Sequence, residues 1–235
     1  PIAARTHANN FFRHLPTERR AKHADPVDIT RVEPEELLSR FDQRGSPETQ
    51  IDVIVGGPPC QAFARVGRAK LREIADHPDA FLKDPRGNLY LRYLHYIKKL
   101  KPVAILMENV PDVLNYGGHN IAEEICDVLS GMGYVCGYTL LNSVYYGVPQ
   151  MRERMFLMGV AKEVGCAVSF PQPTHWIELP RGYHGSRQVA LQTVRTDLFE
   201  QNYFYIDPPA VDGARSRPAV TAGDALSDLP PITIH

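Results

Sequence analysis

A cysteine held at the end of a stiff turn is a ready nucleophile, and this chain offers one. The apolar run Ile51-Asp52-Val53-Ile54-Val55 is closed by Gly56-Gly57-Pro58-Pro59, and Cys60 and Gln61 follow directly. Glycines permit a tight backbone and prolines stiffen the approach, so a thiol placed there is exposed and fixed in direction. An ordinary strand-to-loop turn with an incidental cysteine has the same local pattern. Further on, Glu108-Asn109-Val110 ends a second apolar run. A carboxylate there can cap a backbone, face solvent, or share a proton with a ring nitrogen of a bound ligand. A third cluster, Gln150-Met151-Arg152-Glu153-Arg154, precedes another apolar run. Strand alternation sends Arg152 and Arg154 to one side, either as a solvated edge or as rigid donors to an anionic or carbonyl-bearing ligand.

These residues need a scaffold, and the hydrophobic pattern supplies one. Pro1 to Phe12 has helical periodicity, a short polar connection follows, and Val27 to Ile29 reads as a brief strand end. Glu33 to Phe41 reads as a helix opened by Pro34. Ile51 to Val55 is a β-branched strand of the kind buried on both faces of a parallel sheet. A long polar stretch, Gln61 to Arg86, comes next. Asn88 to Leu100 is then a helix whose end carries Lys98, Lys99 and Lys101, suited to its dipole, and Pro102 stops it. Val103 to Met107 is the second buried strand, Ile121 to Leu129 a helix, and Tyr134 to Leu141 and Met155 to Val160 two further strands. Alternating strands and helices predict an α/β sheet with right-handed crossovers, in which ligands lie beyond the carboxyl ends of the strands. Both Gly56 to Gln61 and Glu108 to Val110 fall there. After Val160 frequent prolines predict loops, with a short helix from Gly223 to Leu229.

The bulk numbers describe an ordinary globular chain. It has 235 residues, 43% of them apolar and 23% charged, with a formal net charge of −1. That balance argues against a wholesale basic nucleic-acid binder but leaves room for a local basic face. No run is long and apolar enough for a membrane span, and no leader resembles a secretion signal, so the expected location is cytoplasmic. The four cysteines, Cys60, Cys126, Cys136 and Cys166, lack the spacing of a zinc site, and no metal is expected. Cys126 and Cys136 sit among apolar residues and read as small core hydrophobes.

The three polar clusters together are far more specific than any one alone. They occur in one order, with 48 residues from Cys60 to Glu108 and 46 from Glu108 to Arg154. Here the chain resembles the cytosine-C5 DNA methyltransferases of bacterial type, whose Pro-Cys-Gln, Glu-Asn-Val and Gln-x-Arg-x-Arg motifs are all matched. Arg86-Gly87-Asn88-Leu89-Tyr90 resembles the entry to the helix before Glu-Asn-Val, and Asp28-Ile29-Thr30 the acidic element that receives the cofactor's adenine. Ala3, Asn10 and Phe11 fall on what resembles the helix after the ribose-binding acid, and Thr221 to Pro231 resembles the segment ahead of the target-recognition region. The resemblance implies a Rossmann-like S-adenosyl-L-methionine-dependent sheet with helices on both faces. It implies a catalytic core over 1–165 and a loop-rich segment leading to the target-recognition region over 166–235.

It also implies roles. Cys60 attacks carbon 6 of cytosine, Glu108 contacts ring nitrogen 3, Arg154 holds the oxygen at carbon 2, and Arg152 supports that geometry. Asp28, Ile29, Pro59 and Leu89 contact the cofactor. Gln61, Asn109, Val110 and Gln150 surround the base, and Arg65 and Arg68, with Lys70 and Arg72, meet phosphates of double-stranded DNA from the mobile catalytic loop. Ala64 stands where the family most often has serine, which puts one polar contact in doubt.

The resemblance has gaps. Nothing matches the family's glycine-rich first strand, its ribose-binding acid, or its last segments, so the chain reads as incomplete at both ends. The missing parts of the same enzyme are then expected partners. On its own, such a chain is expected to bind cofactor poorly and to expose a sheet edge. Rival readings are a methyltransferase acting on tRNA, a silent relative that binds nucleic acid or a partner, and a thiol hydrolase using His77 or His95 as base.

Overall fold

The computed structural model describes residues 2–43, 45–59, 89–116, 118–180, 182–183, 185–192, 194 and 203–230. It is a mixed α/β structure that divides into two compact units, one of residues 1–54 and 65–104, the other of 55–64 and 105–235. A four-stranded sheet has the order β1-β2-β4-β3, with β1 at Val53–Gly56, β2 at Ala104–Asn109, β3 at Tyr134–Asn142 and β4 at Glu153–Ala161.

In the first unit, helices α1 (Ile2–Phe11) and α2 (Thr17–Ala24) pack together, with the Phe12 and His23 rings stacked at 3.8 Å. Helix α2 lies where the sequence suggested only a polar connection. Its run has no apolar stripe, but Glu18 in the first turn and Lys22 and His23 in the last oppose the helix dipole favourably. The expected strand end at Val27 to Ile29 is instead a turn. The Asp28 carboxylate accepts from the Thr30 amide at 3.0 Å and the Thr30 hydroxyl at 2.6 Å, a local closure that competes with strand pairing.

Helix α3 (Pro34–Arg40) and helix α4 (Leu89–Leu100) frame a core of Leu38, Tyr96 and Leu100, packed against Ile29, Leu37, Ile51 and Ile54. Each such buried side chain contributes about 1.5–3 kcal/mol. The Lys101 amide donates to the Ile97 carbonyl, and Pro102 ends the helix as its sequence requires.

Strand β1 differs from its expected two-sided burial. Val53 and Val55 are 55% and 69% exposed. The strand stands at one end of the sheet order, so one of its long edges has no partner strand among the described residues.

The second unit holds a close antiparallel pair, β3 with β4, in register from Tyr134 opposite Ala161 to Asn142 opposite Glu153. No helix separates these strands. They are joined by a 3-10 turn at Ser143–Tyr146 and by Gly147, whose φ of +82° suits glycine. Helix α5 (Ile121–Gly131) is capped by Asn120, which accepts from the Glu123 amide, and buries Ile125, Cys126 and Leu129 while packing on β3.

Residues of the later loops return to the sheet. Tyr138 exchanges backbone bonds with Phe204 and Ile206, and Glu123 Oε1 accepts the Tyr203 amide at 2.6 Å. A β-carbon at Gly137 would run into the Ile206 side chain, so this close approach requires glycine. Helix α6 (Gly185–Ala190) and a two-residue parallel pair, β5 (His175–Trp176) with β6 (Arg217–Pro218), follow. The last helix, α7, runs over Ala222–Leu226 behind a Thr221–Asp224 capping box, slightly ahead of its expected place. No helix among the described residues is long and apolar enough to cross a membrane, and none of their side chains form a metal-ligating cluster.

Candidate active site

Alternation along β2 and β4 builds the site. Ile105, Met107 and Asn109 are buried, which turns Leu106 and Glu108 to the opposite face. On β4, Glu153, Met155 and Leu157 are buried, so Arg154, Phe156 and Met158 share the other face. Glu108 and Arg154 meet there, with Arg154 Nε 3.0 Å from Glu108 Oε1. Arg154 Nη1 also donates to the Glu153 carbonyl at 2.6 Å, which fixes the guanidinium plane.

Beside this pair lies a cavity of about 470 Å³, lined by Leu106, Phe156, Met158 and Phe170, with Glu108, Arg152 and Arg154 as its charged groups. Arg152 and Arg154 do share a side, as alternation predicted. Arg152 is exposed and Arg154 half-buried.

The preceding turn is braced from inside. Asn109 is 6% exposed, and its Nδ2 donates to the Pro58 carbonyl at 2.7 Å while its Oδ1 accepts the Val110 amide at 2.9 Å. One buried amide therefore ties the carboxyl end of β2 to the Gly56–Pro59 turn that leads to Cys60. A β-carbon at Gly57 would stand 3.4 Å from the Glu108 carbonyl oxygen and 3.5 Å from its Oε2, so the turn passes close to Glu108. Pro58 is buried and Pro59 exposed.

The other side of β4 carries a pair that motif reading did not single out. Glu153, 8% exposed, is bound by Arg187, and Asn142 donates to the Tyr183 hydroxyl at 3.0 Å. The only signal for Glu153 in the sequence was its place between two arginines on the opposite face. The apolar lining of the cavity was equally readable from i, i+2 spacing, at Leu106 before Glu108 and at Phe156 and Met158 after Arg154.

The remaining predicted residues divide as follows. Gln150 is exposed, and its carbonyl accepts from the Ser143 hydroxyl at 2.7 Å. Val110 is half-buried at the start of the 3-10 turn Pro111–Asn115. Asp28, Ile29 and Leu89 belong to the first unit, Pro59, Glu108, Arg152 and Arg154 to the second. In the first unit the Asp28 carboxyl is held below its ordinary range by its bonds from Thr30. Cys60, Gln61, Arg65 and Arg68 lie outside the described residues, as do Lys70, Arg72 and His77. His95, the other base considered for a hydrolase, is 7% exposed and bound to Glu33 at 2.8 Å.

The family model for C-5 cytosine-specific DNA methylases matches residues 20–206. M.OihORF3336P of Oceanobacillus iheyensis, named as a type II methyltransferase, is 35% identical over 214 residues, covering 90% of this chain and 44% of its own. The type II methyltransferase M.AgeI of Thalassovita gelatinovora is 30% identical over 212 residues, covering 88% and 42% respectively. The chain thus spans less than half the length of either relative. Among solved structures, a DNA modification methyltransferase encoded within an E. coli prophage shares the fold with a TM-score of 0.50 at 22% identity, over 88% of this chain and 42% of that one. With its three motifs in order and its matched span covering most of the chain, the protein belongs to the C-5 cytosine-specific DNA methylase family.

Proposed function

We propose that this chain carries the core that transfers a methyl group from S-adenosyl-L-methionine to carbon 5 of cytosine in double-stranded DNA. The observation that carries the reading is the Glu108–Arg154 pair, 3.0 Å apart beside a cavity and next to the braced turn that leads into Cys60. A carboxyl group and a guanidinium side by side match the adjacent nitrogen 3 and carbon 2 oxygen of cytosine.

Carbon 5 of cytosine is a poor nucleophile, so the ring is activated first. The Cys60 thiolate bonds to carbon 6, and the displaced electron pair moves into the ring toward nitrogen 3 and the carbon 2 oxygen. A proton on Glu108 is shared with nitrogen 3, and Arg154 holds the oxygen while Arg152 supports the site's charge. Carbon 5 then takes the methyl group. A base removes the remaining proton at carbon 5, the carbon 6–sulfur bond breaks, and Cys60 leaves as thiolate. The target atom is unreachable inside a duplex, so the base is flipped out of the stack.

The cofactor supplies an electrophilic methyl on a sulfonium. The residues present fit its adenine end: Asp28 is exposed, and its lowered pKa keeps it an ionised acceptor for an exocyclic amino group. Ile29 and Leu89 offer half-buried apolar surface for a ring. The segment 166–235 is proposed to lead into the region that reads the DNA sequence.

The test is trapping on a duplex containing 5-fluorocytosine with S-adenosyl-L-methionine present, comparing the protein with its Cys60→Ala variant. Fluorine cannot leave as a proton does, so the reaction stalls as a covalent adduct. An adduct that needs both Cys60 and the cofactor supports the reading. An adduct that survives Cys60→Ala, or forms equally on an RNA duplex, overturns it.

A further inference from the structure

Helix α4 carries an unusual buried cation. Arg92 is 4% exposed and sits one turn after Leu89. A guanidinium is rarely buried without full pairing, because desolvating it costs several kcal/mol. Here its donors converge on one short segment. Nε donates to the Ile29 carbonyl at 2.6 Å, Nη2 to the Val32 carbonyl, and Nη1 pairs with Glu33 Oε1 at 2.7 Å.

The helix adds two more contacts to the same segment. Tyr96 donates its hydroxyl to the Val32 carbonyl at 2.7 Å, and His95 Nε2 meets Glu33 Oε2 at 2.8 Å. Arg92 lies over the Tyr96 ring, 5.4 Å from its centroid. Neither strand pairing nor helix formation accounts for the conformation of residues 29–32, so these side chains replace the absent backbone ladder.

We propose that Arg92, with His95 and Tyr96, is a positioning residue for the cofactor, locking the Asp28–Ile29 turn onto the helix that begins at Leu89. The inference rests on the reading that Asp28, Ile29 and Leu89 contact S-adenosyl-L-methionine. Its physical content is that two adenine-binding elements, 61 residues apart in the chain, are held as one rigid wall before the cofactor arrives. Arg92 touches no reacting atom. It acts through the carbonyls of Ile29 and Val32 and the carboxylate of Glu33.

The experiment uses the protein that carries this chain, with three readouts, the last being the KM values for cofactor and for DNA. The first is amide hydrogen exchange over residues 28–33 without ligand. The second is calorimetric affinity for S-adenosylhomocysteine, the reaction product. Arg92→Ala is expected to speed exchange in this segment and to weaken product affinity about tenfold, as loss of charge-assisted bonds would. It raises the KM for S-adenosyl-L-methionine and leaves that for DNA unchanged, whereas general destabilisation would move both.

Arg92→Lys, which keeps the charge but not the fork, recovers only part of the affinity. Should Arg92→Ala fail to fold, Tyr96→Phe removes a single bond to the Val32 carbonyl and is expected to produce the same changes at a smaller scale. Faster exchange with unchanged product affinity overturns the positioning role, as does a folded variant in which neither changes. Failure of the unaltered protein to bind the product, with its exchange still sensitive to Arg92, overturns the cofactor reading and leaves the clamp as structure alone.

Discussion

At the scale of single residues, the motif positions are not equivalent. Asn109, expected at the base, is turned inward and serves the backbone of the turn before Cys60. Replacing it with alanine leaves the Pro58 carbonyl and the Val110 amide without their partner, at a cost of about 1–3 kcal/mol in stability. The expected outcome is a lower midpoint in urea unfolding and roughly tenfold slower adduct formation on 5-fluorocytosine DNA, since the nucleophile's approach is less well fixed. Arg154 is expected to behave differently. Arg154→Lys keeps a positive charge near Glu108 but loses the planar fork, so single-turnover methylation should fall about 10²-fold while the unfolding midpoint barely moves. A variant that loses stability and activity together would place Arg154 in the scaffold. These residue types were legible in the sequence because each motif is short and contiguous. Which member faces the ligand was not, because the division depends on strand phase and on contacts far along the chain.

At the scale of elements, the docking of residues 203–206 onto β3 is the feature most open to challenge. Its bonds run to Tyr138, and its entry is anchored by Glu123. Gly137→Val puts a side chain where Ile206 sits, with an expected loss of about 1–3 kcal/mol, readable as faster proteolysis around residue 203. Burial pushes the Glu123 pKa up, against the bonds from Tyr138 and the Tyr203 and Phe204 amides that pull it down. A carboxyl raised on folding binds its proton more tightly in the native state. Its stabilising effect is therefore complete below 4.5 and lost as pH rises through the folded pKa. Urea unfolding across that window should show wild type losing stability relative to Glu123→Gln as pH rises; parallel profiles would contradict the assignment. None of this docking was legible in the sequence, since Tyr203 lies 80 residues from Glu123 and carries no motif.

At the scale of the whole molecule, two histidines bias stability in the opposite direction. Desolvation lowers the pKa of His95 despite its Glu33 partner, and desolvation with the nearby His7 lowers that of His23. A lowered histidine takes up its proton on unfolding, so stability is present above 6.5 and is lost as pH falls through the folded values. Thermal unfolding between neutral pH and about pH 5 should shift to lower temperature, and the shift should shrink in a His95→Gln variant. The sequence by itself determined the family, the three motifs and their order, and most elements of the α/β sheet. Each of these depends on local spacing, where periodicity of two or 3.6 and short contiguous patterns are preserved in the chain. Tertiary structure alone decided that β1 leaves Val53 and Val55 exposed, that Val27 to Ile29 is a turn, and that Asn109 braces its own neighbouring turn from within. It likewise decided that Arg92 reaches back to Ile29 and Val32. These facts turn on which distant groups satisfy a buried donor or cover an apolar face, and no spacing along the chain encodes that choice.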